Sequence, residues 1–157
     1  MPPKILLIAY KFPPLRSVGS LRNYHLARQW VRRGYEVHVL TTSNRHELPQ
    51  QPLPDIPGLR IHEVPTFDFR TLLARLSSGS GGRPPRFSPT LLLDGLRKLK
   101  ETWPLNLLLD EGGPLYLYRG YQLARQLVQE HDLTYVYSSF RPYADHLLAR
   151  RLCRRFP

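Results

Sequence analysis

Ile5 to Ala9 is an unbroken apolar run, the pattern of a central parallel strand covered on both faces. Beyond a loop, Leu26, Ala27, Trp30 and Val31 recur at helical spacing, while Arg28, Arg32 and Arg33 fall largely on the other side. That predicts a helix from about Ser20 to Arg33, with Ser20 as its N-cap and Gly34 as its C′ residue. Tyr35 to Thr42 then alternates around Val37, Val39 and Thr41, giving a second strand. His38 reads as a strand residue at a polar edge rather than as a ligand. Ser43 to Pro57, rich in Pro, Gln and Asn, predicts a long surface excursion, and Leu59 to Val64 a third strand at a sheet edge.

Phe67 to Leu76 predicts a short helix, and the Gly/Ser content of Ser77 to Pro89 a flexible loop. Leu91, Leu92, Leu96 and Leu99 place a helix over Thr90 to Lys100, broken at Trp103-Pro104, and Asp110 to Pro114 is a turn. Leu117, Tyr121, Ala124, Leu127 and Val128 mark a helix of about four turns that starts near Pro114. Leu133 to Tyr137 is the fourth strand. A last helix spans about Pro142 to Arg154, with Ala144, Leu147, Leu148 and Leu152 inward.

Strands alternating with helices predict one α/β domain over residues 1–157, a Rossmann-like doubly wound parallel sheet with helices on both faces. In the usual order of this class the first and fourth strands are neighbours, and the order reverses between them. The loops after both strands then open into one crevice. Lys11, Arg16, Ser17, Gly19, Ser20 and Arg22 would face Ser138, Ser139 and Arg141. Cations and hydroxyls around a helix N-terminus make an anion site. Pro13 and Pro14 stiffen the loop, and Gly19 lets backbone come close to a ligand. The alternative is that Arg16 and Arg141 are exposed loop charges with nothing bound.

Composition narrows the partners. The chain has 157 residues, a formal net charge of +11 and a pI near 10.3. That balance favours nucleotides, phosphorylated lipids, membrane surfaces or nucleic acid, unless arginine is simply the preferred surface residue, since the arginines are spread along the chain. No apolar run approaches the roughly 20 residues of a membrane span, and no secretory leader is evident, so a cytoplasmic location is the expectation. A single cysteine, Cys153, excludes an internal disulfide and a cysteine zinc cluster. No Ser-His-Asp arrangement and no metal-ligand spacing stand out among the six histidines, so no metal and no cofactor are expected. His146, next to Asp145, reads as a helix-face residue rather than a base.

Phe12-Pro13-Pro14, the run Ser17-Val18-Gly19-Ser20 with Arg22, and the segment Tyr24 to Thr42 with its Gly34-Tyr35-Glu36-Val37 turn resemble the start of family 4 glycosyltransferases of the GT-B fold. Asp132 to Leu152 is similar to the stretch near the end of that family's N-terminal domain. The resemblance implies the acceptor-side half of a bacterial enzyme that moves sugar from a nucleotide-sugar donor to a saccharide or lipid-linked acceptor, in cell-envelope or extracellular polysaccharide synthesis. It implies that Gly19 and Ser20 belong to a loop approaching the donor diphosphate, with Arg22 as a basic residue just inside the helix. Ser138 and Ser139 would lie near the reacting sugar. Many members carry a glycine pair where Arg16, Ser17 and Val18 precede the single Gly19 here, and often Pro where Arg141 stands. The family's donor-binding C-terminal domain, with its glutamates eight positions apart, has no counterpart in these residues, and the catalytic residues are unassigned. The chain alone is therefore expected to be inactive, and the donor to be held mainly by the missing domain.

Tyr116, Tyr118 and Tyr121, with Trp103, read as ordinary packing or as a stacking surface for an acceptor sugar. Leu147 to Phe156 carries an apolar stripe and four arginines, either a plain surface helix or a peripheral contact with the anionic inner face of a membrane. The competing reading is a non-enzymatic basic module for nucleic acid or an anionic membrane. Aromatics and arginines sit mostly in separate elements, so nucleic acid is not the expected partner. No G-x-G-x-x-G follows the first strand, so a dinucleotide domain lacks its fingerprint.

Overall fold

The computed structural model describes residues 2–15, 17–43, 54–66, 113–139 and 142–157. Four strands form one all-parallel sheet: β1 (Lys4–Ile8), β2 (Glu36–Thr42), β3 (Leu59–Val64) and β4 (Tyr135–Ser138), in the order β3-β2-β1-β4. Three described helices flank it: α1 (Val18–Arg32), α2 (Gly113–His131) and α3 (Tyr143–Arg155). The chain is thus an α/β protein of Rossmann-like, doubly wound topology, and the order reverses between β1 and β4. The helices expected at Phe67 to Leu76 and Thr90 to Lys100, the loop Ser77 to Pro89, Trp103 and the start of the Asp110 turn lie outside the described residues, as do Arg16 and Arg141.

Leu6, Leu7 and Ile8 on β1 have no exposed surface, because both faces of the strand are covered. Burying each side chain contributes about 1.5–3 kcal/mol. Leu7 joins Ala9, Val37, Val39 and Ala27 on the α1 face, with Trp30 and Val31 packed against them. Leu6 and Ile8 join Leu40, Val64, Tyr116, Ala124, Leu127, Leu148 and Leu152 on the face covered by α2 and α3. Alternation along each strand therefore sorts side chains between two apolar layers. Gly120 lets α3 approach α2, since a Cβ there would stand 2.7 Å from Leu148 Cδ1.

Several boundaries move. Helix α1 begins at Val18, and its N-cap is Ser17, whose hydroxyl accepts from the Ser20 amide at 3.1 Å. Ser20 is therefore inside the first turn, not the cap: Ser17 has the extended backbone that a cap needs, three residues before the amide it binds. Gly34 takes the left-handed φ of +85° just past the helix, and its amide donates to the Val31 carbonyl. Leu147 is 36% exposed rather than inward, because α3 turns Leu148 and Leu152 to the core. Among the described residues no helix is long and apolar enough to cross a membrane.

Candidate functional site

Parallel pairing of β1 with β4 aligns Ile8 with Ser138, so the two strands end side by side. The Ser139 amide continues the ladder by donating to the Ile8 carbonyl at 3.1 Å. The loop after β1 and the loop after β4 consequently leave the sheet at one place. Arg22, on the second turn of α1, closes the gap: its Nη2 donates to Ser139 Oγ at 2.9 Å. Ser139 is buried and Arg22 is exposed, so the guanidinium lies at the mouth with the hydroxyl behind it.

The β1 side of the crevice is fixed from below. The side-chain Nδ2 of Asn23 donates to the Lys11 carbonyl at 2.9 Å, which ties the loop to the helix it feeds. Lys11 Cδ and Ser17 Oγ both lie 3.9 Å from where a Cβ on Gly19 would sit, so these three residues share one wall. The first turn of α1 contains no acidic residue. Its positive end is therefore not neutralised from within, and the amides of Val18 and Gly19 lead outward past the cap. Ser20 Oγ and Asn23 Oδ1 are buried without a hydrogen-bond partner among the described residues, beneath the same wall. Lys11, Ser17, Gly19, Ser20 and Arg22 are thus brought together with Ser138 and Ser139.

Two features of this end were missed in the sequence. Ser138 Oγ meets His146 Nδ1 at 2.5 Å, which sets the hydroxyl against an imidazole one turn into α3. A triad does not follow, since the neighbouring Asp145 turns the other way. Asp145 is fully buried; its Oδ2 accepts from the Tyr10 amide at 2.9 Å and its Oδ1 from the Tyr116 hydroxyl at 2.8 Å. Burial and the Asp145 carboxylate push the Tyr116 hydroxyl well above the usual tyrosine range. Tyr116 therefore belongs to the core, stacked edge-on against Tyr10, and cannot offer a stacking surface. Tyr118 is exposed, and Tyr121 lies under the Arg151 guanidinium, 4.4 Å from the ring centre. The expected tyrosine cluster is split by the helical turn.

A second polar cluster lies at the other end of the sheet. His38 is not at a polar edge: it has no exposed surface, since β1 and β3 flank its strand and α2 covers it. Its Nε2 sits 3.1 Å from Glu36 Oε1 and its Nδ1 3.1 Å from His62 Nε2. The His62 ring stacks on that of His38, and the His131 ring lies 4.4 Å from it, centre to centre. Burial holds both His38 and His62 below the usual histidine range, and the His38 hydrogen bond holds Glu36 below the usual carboxylate range. The spacing of histidines along the chain hid this convergence. Glu36 and His38 two apart on a strand, with His62 on the adjoining strand, was the available signal.

No protein-family model matches this chain, and no curated protein matches it at a significant level.

Proposed function

We propose that this chain is the acceptor-side domain of a nucleotide-sugar-dependent glycosyltransferase of GT-B architecture, acting in envelope or extracellular polysaccharide synthesis. The observation that carries the reading is the Arg22–Ser139 hydrogen bond, which joins the start of α1 to the segment after β4 at the carboxyl edge of the sheet, where ligands of doubly wound folds bind. In this reading Lys11, Arg22 and the start of α1 face the donor diphosphate, and Ser138 and Ser139 face the acceptor hydroxyls. A second domain supplies most of the nucleotide contacts, so the chain alone binds weakly and does not transfer sugar. The exposed arginines 150, 151, 154 and 155 of α3 would dock the domain on an anionic membrane surface, where a lipid-linked acceptor is presented.

The test is a titration of isotope-labelled chain with uridine diphosphate. Amide shifts centred on Gly19, Ser20 and Ser139 are expected, and Arg22→Ala should weaken binding about tenfold, as loss of a charged hydrogen bond worth about 1.5 kcal/mol would. Shifts confined to other regions would overturn the reading. Tight binding of short single-stranded DNA with a steep salt slope would instead favour a nucleic-acid module.

A further inference from the structure

The amino edge of the sheet carries a cluster that the proposed transfer chemistry does not use. We propose that Glu36, His38 and His131 form a binding site for a borderline divalent transition metal, zinc in the first instance. One donor atom from each lies within 4.8 Å of the other two. Tetrahedral zinc with bonds of about 2.0–2.1 Å holds its ligands about 3.3 Å apart. Glu36 Oε1 and His38 Nε2, at 3.1 Å, are already at that separation. Only His131 has to close in, and it is the half-buried last residue of α2, where a side-chain rotation suffices.

Three further features suit a cation. His38 enters with its outer nitrogen supported: once Nε2 faces the metal, Nδ1–H donates to His62 Nε2 at 3.1 Å, which fixes the ring and its tautomer. His62 is thus a positioning residue. The site lies at the C-terminal end of α2, whose carbonyl dipoles favour positive charge. Two imidazoles and a carboxylate are a donor set that zinc accepts, leaving a fourth position for water on the side where Glu36 and His131 are partly open. Bound metal would pin the last turn of α2 to the first residue of β2, joining segments 95 residues apart in sequence by their numbering, 131 and 36. Two basic groups oppose it. Lys4 Nζ is engaged by the His131 carbonyl at 2.7 Å, and Arg60 Nη1 lies 3.5 Å from Glu36 Oε1. The Arg60 side chain is more than half exposed and can swing into solvent.

The chain, purified without a histidine tag and stripped with EDTA, is titrated with zinc sulfate against a chromophoric chelator, and with cobalt chloride for its visible absorption. One zinc per chain is expected, together with a tetrahedral cobalt spectrum. Glu36→Gln and His131→Ala should each weaken zinc about tenfold or more. His62→Leu should weaken zinc while keeping the cobalt band pattern, as expected of a group that orients a ligand without being one. Arg60→Gln should tighten binding a few-fold by removing a nearby cation. His25→Ala, exposed on α1, should change nothing. Far-UV circular dichroism checks that each variant is folded. Zinc bound equally well by His131→Ala, by Glu36→Gln and by the parent chain, or no stoichiometric zinc at micromolar concentration, would overturn the site.

Discussion

At the carboxyl edge of the sheet, hydroxyls and a guanidinium gather around the start of α1; at the amino edge, imidazoles and a carboxylate gather beneath the end of α2. The difference follows from parallel winding. Each strand and the helix after it run in opposite directions, so helix N-termini collect at one edge and helix C-termini at the other. One edge offers outward amides, the other outward carbonyls. An anion is favoured where Ser17 caps α1, and a cation where His131 ends α2. A single fold thus presents two ends of opposite preference on a chain of net charge +11.

The sharpest way to break this picture is to remove a support from one edge and watch the other. Asp145 holds the Tyr10 amide, at the exit of β1, and the Tyr116 hydroxyl. Asp145→Ala leaves both donors buried and unsatisfied, which should cost about 3 kcal/mol in urea denaturation. Uridine diphosphate binding at the carboxyl edge should weaken with it, because the loop after β1 loses its anchor. Zinc affinity at the amino edge should not move. An equal loss at both edges would mean that the two are not separate units.

How much of each edge the sequence revealed differs for a physical reason. The carboxyl edge is built largely from one continuous segment, Lys11 to Arg22, with Ser138 and Ser139 added by a topology that apolar runs predict. All four strands were readable from alternation or apolar runs, and β3 matched at both ends. What escaped was side-chain direction. The choice of Ser17 over Ser20 as cap depends on one backbone torsion, and the turn of Asp145 towards Tyr10 depends on helix phase. The amino edge left only a faint trace, Glu36 and His38 two apart on one strand with His62 on the next. Its residues come from β2, β3 and α2 and meet only through register, such as Leu40 beside His62, which no local pattern encodes.

The effect of pH should distinguish the edges next. Burial lowers His38 and His62, so the folded protein resists protons that the unfolded chain accepts below about pH 6.5. Their contribution is fully present above that value and is lost as pH falls towards the lowered folded values. Glu36 has the same sign lower down, being depressed by its bond to His38, and its contribution is lost below about pH 4.5. Lys4, Arg60 and His131 around them also disfavour a further positive charge. In EDTA, the urea midpoint should therefore be lower at pH 5.5 than at pH 7.5, and His62→Gln should shrink that difference. A midpoint that rises on acidification would contradict the buried, neutral imidazoles.

The smallest effect carries the most specific information about the crevice. Gly19 sits in the first turn of α1 without a left-handed φ, and a Cβ there would meet only Lys11 Cδ and Ser17 Oγ at the ordinary distance of 3.9 Å. Nothing among the described residues demands glycine. Gly19→Ala should therefore raise stability by about 0.5 kcal/mol, through helix propensity and a stiffer unfolded chain. If the first-turn amides approach a diphosphate closely, the added methyl stands in that path. Uridine diphosphate should then bind more weakly to the more stable protein. Opposite signs in the urea midpoint and the binding titration would separate a glycine kept for a ligand from one kept for folding. Gains in both, or unchanged binding, would remove Gly19 from the site and leave Arg22 and Ser139 as its core.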